Sequence, residues 1–205
     1  MRVAIVGGTG PFGRGLARRL RAAEDDVVLG SRDAERGRAA AAEIGAEGGA
    51  NREIVRNADL VVLAVNAEAA VQTAKSLARA VGATPLLCVA SEVRFGERGA
   101  RPGSEGPSVA ERVQGVVGGP VAAGLHSVAA GTLAGEGPPD EDALVCGDDP
   151  GAKALALELA ERVVAGRAFD AGSLSNARAL EGLTAVIINL NRHYRGRAGI
   201  RLTGL

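Results

Sequence analysis

Aromatic side chains are almost missing from this 205-residue chain, which has no Trp, one Tyr and three Phe. Its core must therefore be aliphatic and rich in alanine. Cysteine is scarce as well. Cys88 and Cys146 lie far apart, show no metal-ligand spacing and sit in apolar runs. They read as buried free thiols in a reducing compartment, so a cytoplasmic location and no metal centre are expected. An excess of either charge is lacking too: 24 basic residues balance 24 acidic ones. With no long basic run and no interleaving of basic and aromatic residues, no nucleic-acid partner is expected. No apolar run reaches the roughly 18 residues of a membrane span, and the N-terminus lacks the layout of a signal peptide.

The inventory of acid–base groups is equally thin. There are two histidines, His126 and His193, and two lysines, Lys75 and Lys153, both in segments that read as helix interior. No H-E-x-x-H, G-x-S-x-G or paired-cysteine motif occurs. The chain does not advertise general acid–base catalysis. Hydride transfer between two bound rings fits this poverty, because it depends on positioning and the cofactors carry the chemistry.

Glycine, by contrast, is abundant at 30 residues, and the remaining composition, 46% hydrophobic and 23% charged, is that of an ordinary globular protein. The apolar pattern predicts strands at 2–7, 27–29, 60–65 and 85–89, with helices at 12–23, 34–44 and 67–80 between them. Residues 90–107 read as a long polar loop, followed by a helix over 108–116. Further strands are predicted at 121–125, 143–146 and 167–169, a loop over 130–142, and helices over 150–164 and 175–193. This alternation predicts an α/β fold: a Rossmann-type doubly wound parallel sheet over residues 1–120, with a small C-terminal α/β domain over 121–205.

The strongest motif stands at the start. Gly8, Thr9, Gly10, Pro11, Phe12 and Gly13 spell G-x-G-x-x-G directly after a strand and at the opening of a helix. In that setting the first glycine permits the turn and the second admits the pyrophosphate. The third lets helix and strand pack, and the helix N-terminus faces the anion. The next strand ends in Ser31-Arg32, where NAD-binding proteins usually carry a carboxylate; Asp33 follows one step later. A hydroxyl and a guanidinium suit a ribose 2′-phosphate, so NADP is expected. Arg36, one turn on, either adds charge there or belongs to a solvated helix face.

The sequence also resembles the F420H2:NADP oxidoreductases. The resemblance rests on the run from Gly7 to Ala17 and on Val28-Leu29-Gly30-Ser31-Arg32. It continues through Leu125-His126-Ser127 and Val145-Cys146-Gly147-Asp148-Asp149. Its most specific block is Asp170-Ala171-Gly172-Ser173-Leu174-Ser175-Asn176-Ala177-Arg178, with Glu181, Leu183-Thr184, Ile188-Asn189 and Gly199-Ile200 beyond it. It implies NADP and coenzyme F420, a 5-deazaflavin, as the two cofactors, with the deazaflavin held between the Rossmann unit and the C-terminal part. Thr9, Ser31 and Arg32 would hold the NADP phosphates. His126, beside Ser127, would be the catalytic or ring-positioning residue, a structural histidine being the rival reading. Ser175 and Asn176 either contact the deazaflavin or cap the last helix. Glu181 and Thr184, one turn apart on a helix face, are expected to point into the cleft. The family is commonly oligomeric, so a homo-oligomer, dimer or tetramer, is expected. Leu180, Leu183, Ile187 and Leu190 on the last helix would serve that interface or else the core. Two segments depart from the family pattern. One runs from Val65 and Asn66 to Ala69, where Pro-Trp followed by Glu and His is usual. The other runs from Val89 and Ala90 to Glu92, where Pro-Leu is usual. Both lie at C-terminal strand ends, where open α/β sheets bind ligands. Beside the hydride exchange between coenzyme F420 and NADP that the resemblance implies, two alternatives stand: an NADP-dependent reductase of another small molecule, and a non-catalytic NADP-binding sensor.

Overall fold

Successive strand residues face opposite sides of a sheet, and here both sides are apolar. In the computed structural model, which describes residues 1–103 and 105–205, the first strand, β1 (Arg2–Val6), sends Val3 and Ile5 into one core and Ala4 and Val6 into the other. A strand buried on both faces belongs in a sheet covered by helices on both sides. The chain continues through α1 (Pro11–Ala22), β2 (Asp26–Ser31), α2 (Ala34–Ala42), β3 (Glu47–Ala50), α3 (Asn51–Ile54), β4 (Leu60–Leu63), α4 (Ala67–Val81) and β5 (Leu86–Cys88). A hairpin, β6 (Val93–Gly96) and β7 (Gly99–Pro102), then precedes α5 (Val109–Gln114) and β8 (Val121–Gly124). The last part holds α6 (Ala130–Leu133), β9 (Ala143–Gly147), α7 (Pro150–Val163), β10 (Ala168–Asp170), a 3-10 turn (Leu174–Asn176) and α8 (Ala177–Tyr194).

The main sheet has eight strands in the order β10-β9-β8-β5-β4-β1-β2-β3. All neighbours are parallel except β8 and β9. This is the Rossmann-like, mostly parallel α/β architecture expected. Helices α1, α2 and α7 pack on one face and α4, α5 and α8 on the other, with Leu16, Leu20 and Leu159 filling the first core and Leu77, Val113 and Leu180 the second. Both cysteines are buried, and burial lifts the Cys88 thiol to about 12 and that of Cys146 to about 11, so neither is a ready nucleophile.

The sheet runs straight across residue 120, because β8 pairs in parallel with β5, Leu86 lying opposite Val121. The C-terminal strands thus extend the first sheet; strand periodicity identifies a strand but not the edge that receives it. The antiparallel β9 has a further consequence. Its C-terminal end, Gly147, lies beside Ala122 near the start of β8, and β10 runs parallel to it. Asp148 and the segment 171–176 therefore sit at the opposite edge of the sheet from the C-terminal ends of β1, β4, β5 and β8.

Three segments differ from the sequence expectation. The supposed loop 90–107 contains the β6–β7 hairpin, with Arg94 opposite Arg101 and Phe95 opposite Ala100. Helix α6 lies inside the expected loop 130–142. Strand β3, of sequence EGGA, has no residue of high strand propensity. It forms because α2 and β3 meet through glycines: a Cβ at Gly37 would run into the Gly49 carbonyl oxygen.

Candidate functional site

The turn after β1 is fixed from several directions. Gly7 has φ +81°, a left-handed conformation that favours glycine. The Gly7 N–H donates to Asn51 Oδ1 at 3.4 Å, and the Gly8 N–H donates to the Gly30 carbonyl at 2.9 Å, tying the loop to the end of β2. Gly10 is the N-cap of α1, with Pro11 next, no side-chain cap and no acidic residue in the first turn. Pro11 has no N–H, and the N–H groups of the next residues of this twelve-residue helix have no side-chain cap among the described residues, which suits a phosphate. A Cβ on Gly10 would meet only the Gly7 carbonyl oxygen, at 3.5 Å. The protein's own packing does not demand a glycine here, whereas a close-lying pyrophosphate does.

At the end of β2, Ser31 is buried and its hydroxyl accepts from the Asp33 N–H at 3.3 Å, leaving its own hydrogen to donate. The Asp33 carboxylate caps α2, accepting from the Glu35 N–H at 2.9 Å and the Arg36 N–H at 3.3 Å. The one acid near the strand tip is thereby engaged by the helix. The Arg32 and Arg36 side chains are exposed and make no hydrogen bond or ion pair among the described residues. The residues present fit a 2′-phosphorylated dinucleotide.

From this loop a cleft of about 810 Å³ opens over the C-terminal ends of β4, β5 and β8. Gly10, Pro11, Phe12, Val65, Asn66, Ala90, His126 and Ser127 all line it, as do residues 65–68 and 89–92 of the two segments that depart from the family pattern. Gly8, Thr9, Gly13, Ser31, Arg32 and Arg36 lie outside its walls, on the loop and the β2 side. Ser175 and Asn176 are not brought to the cleft: they are exposed at the far edge of the sheet, where Ser175 Oγ pairs with Ser173 Oγ at 2.7 Å and the Asn176 amide donates to the Ala171 carbonyl at 2.7 Å. Nor does either side chain cap the helix; Asp148 instead accepts from the Leu174 N–H at 2.9 Å. The reversal at β9 carried this segment away. Glu181 is also outside the cleft, buried against α5 and accepting from the Val109 N–H at 2.6 Å.

His126 is 6% exposed, and neither ring nitrogen has a hydrogen-bond partner of good geometry among the described residues; the neighbouring Ser127 Oγ is also unpartnered. Two adjacent orphaned polar groups in a ligand-sized cleft are what a missing polar ligand leaves. The backbone beneath them is strained, with Leu125 at φ +62°. What holds it is Thr184 on α8, which lines the cleft as its helix face suggests. The Thr184 hydroxyl donates to the His126 carbonyl at 2.7 Å. Having given its only hydrogen there, it accepts from Ser91 Oγ at 2.7 Å. Ser91 and Asn51 were missed, because nothing local marks a residue whose partner lies some 40 to 90 positions away in the chain; Phe95 was missed because its segment reads as a polar loop. Thr184→Val, nearly isosteric, removes both bonds. It should lower kcat about tenfold, in line with two lost hydrogen bonds, and leave the KM for NADP unchanged; steady-state kinetics with each substrate varied checks this.

Burial pushes the His126 imidazole down to about 4, against a smaller opposing effect of the Ala90 backbone. It is neutral at pH 7. Since a free imidazole titrates near about 6.5, the unfolded chain takes up the proton first as pH falls. Stability present above about pH 6.5 is therefore lost towards pH 4. Glu141 acts in the opposite sense. It is buried beneath the C-terminal segment with Oε2 unpartnered among the described residues, and burial raises its carboxyl to about 7. Its contribution, present below about pH 4.5, is lost as pH rises through about 7. The two slopes offset each other between about pH 4.5 and 6.5. Glu141→Gln should expose the histidine's slope across that window and exceed the wild type in stability at pH 8 by about 1–2 kcal/mol; denaturant melts at several pH values measure it.

Comparison with known proteins gives the family. Residues 2–87 match the family described as NADP oxidoreductase coenzyme F420-dependent. The F420-dependent NADP reductase of Methanothermobacter thermautotrophicus is 36% identical, over 100% of this chain and 96% of that protein. That of Methanocaldococcus jannaschii is 33% identical, over 100% and 99%. Among solved structures, a candidate F420-dependent NADP-reductase from Arthrobacter superposes with a TM-score of 0.85 at 23% identity, over the whole of both chains. An imine reductase of Streptomyces aurantiacus shares the fold at a TM-score of 0.64 and 22% identity, over 95% of this chain and 62% of that one. With full-length relatives above 30% identity on both sides of the alignment, the chain belongs to the family of F420-dependent NADP reductases.

Proposed function

We propose that this protein passes hydride reversibly between coenzyme F420 and NADP. The observation that carries the reading is one cleft in which the open end of the dinucleotide loop faces the orphaned His126 and Ser127, in a chain that matches F420-dependent NADP reductases from end to end. When both are bound, the rings supply the chemistry: a hydride passes from the reduced deazaflavin to the nicotinamide, and a proton is released. The chain's part is placement. Gly8 to Gly13 and the N-terminus of α1 receive the pyrophosphate, while Ser31, Arg32 and Arg36 take the 2′-phosphate. Val65, Asn66 and Ala90 floor the ring site. The family's Pro-Trp is absent at Asn66, but the hairpin brings Phe95, 75% exposed, to the cleft wall. A flat ring covering it would remove that apolar face from water.

His126 and Ser127 offer hydrogen bonds to the polar edge of a ring. Neutral at pH 7, His126 does not keep the released proton, which goes to solvent. Two further proposals concern the setting. The outer face of α8 exposes Val186, Leu190 and Tyr194, while Leu180 and Ile187 pack inward; this face supports a homo-oligomer, dimer or tetramer. The two buried free thiols support a cytoplasmic location, and among the described residues no helix is long and apolar enough to cross a membrane. Mixing the protein with NADPH and oxidised coenzyme F420 tests the activity: the deazaflavin's visible absorbance should bleach. Absence of bleaching at every pH tried, with NADPH oxidised by an imine or carbonyl compound instead, would overturn the reading.

A further inference from the structure

Beyond the cleft lies a second concavity of about 610 Å³, between the tip of the β6–β7 hairpin and the last turn of α8. Its charged lining is lopsided, with Arg98, Arg192 and Arg195 facing Glu97, and His193 beside them. The side chains of Arg98, Arg192 and Arg195 make no hydrogen bond or ion pair among the described residues. Three guanidinium groups against one carboxylate leave the groove net positive, and it favours an anion. Its walls are fixed in place. Asn189 on α8 accepts from the Ala100 N–H at 2.8 Å and donates to the Ala100 carbonyl at 2.7 Å, fastening β7 to the helix.

The groove continues the cleft along the same two elements. Arg94 and Phe95 of the hairpin and Asn191 of α8 line the cleft; Glu97 and Arg98 of the hairpin, with Asn189 and Arg192 of α8, line the groove. From Thr184 to Arg192 the helix advances about 12 Å. The phosphates of the dinucleotide already have receivers on the other side of the cleft, at α1 and Arg32. An anion here therefore belongs to the second substrate.

We infer that this groove binds the anionic tail of the deazaflavin substrate, the phosphodiester and glutamate carboxylates that follow its ribityl chain, while the ring lies in the cleft. The inference rests on the F420 reading above. It makes the groove a specificity site, acting on the tail and not on the reacting ring.

The experiment compares kcat/KM for coenzyme F420 with that for the same deazaflavin ending at its ribityl chain, with NADPH as donor. The wild type should prefer the tailed compound by about tenfold or more, roughly one charge-assisted contact's worth, and the preference should shrink with added salt. In the combined variant Arg98→Ser, Arg192→Ser, Arg195→Ser the preference should fall towards unity, while Glu97→Gln, which removes the opposing charge, should increase it. Thermal melts confirm that each variant is folded. Equal use of the two deazaflavins by the wild type, or an undiminished preference in the folded variant, overturns the groove assignment alone. Turnover of neither compound by the wild type overturns the activity on which it rests.

Discussion

Arg32→Asp is expected to weaken NADP binding about 100-fold while changing NAD affinity only a few-fold. A hydrogen bond to a charged group contributes about 1.5–3 kcal/mol, which is about one to two orders of magnitude in affinity. The substitution also sets an anion against the 2′-phosphate, so the upper end of that range applies. Fold loss does not confound the result. The Arg32 side chain is exposed and unpaired among the described residues, and α2 keeps its own cap at Asp33. Titrations of nicotinamide fluorescence with NADPH and with NADH, beside a thermal melt, read the effect. Unchanged NADPH affinity in a folded variant would mean that the 2′-phosphate lies elsewhere.

A pair of glycine substitutions should separate the two duties of the phosphate loop. In Gly13→Ala the new Cβ would stand 2.8 Å from both the Gly7 carbonyl oxygen and Gly8 Cα. These are backbone atoms of a turn held by Asn51 and Gly30, so the loop or α1 must shift. Overpacking of this kind costs about 1–3 kcal/mol, and both the melting temperature and NADP affinity should fall. In Gly10→Ala the Cβ meets only ordinary contact within the protein, and the backbone there (φ −76°, ψ 162°) is one that any residue adopts. That variant should melt with the wild type and yet bind NADP at least about tenfold more weakly, because the methyl occupies the approach of the pyrophosphate. If Gly10→Ala bound NADP normally, the dinucleotide could not run across this loop. The contrast matters because a motif match alone does not say which glycine serves the fold and which serves the ligand.

Much of the parallel half was legible in the residues. Val3 to Val6 and Leu60 to Leu63 are short aliphatic runs, the first closed by Gly7 and the second opened after Asp59, and they suit a strand buried on both faces. Strand β3 was illegible because its residues are poor strand formers; α2 packs onto them through Gly37. The β6–β7 hairpin was illegible because its polar residues look like a loop until Asn189, some 90 positions later, grips Ala100.

The same division holds for the site. Local sequence determined the Rossmann start, the cofactor half built on Gly8 to Gly13 with Ser31-Arg32, and the segments that meet at His126. These are effects of neighbouring residues: helix dipoles, tight turns and caps act within a few positions. Tertiary structure decided the rest. The antiparallel step at β9 placed Ser175 and Asn176 at the wrong edge for the cleft. It also set α8 to climb from that edge to the other and deliver Thr184 beneath His126. Strand pairing depends on which sheet edge is free when the strand arrives, and buried polar groups are satisfied by whatever the fold brings near. Neither quantity is written in any short stretch of the chain.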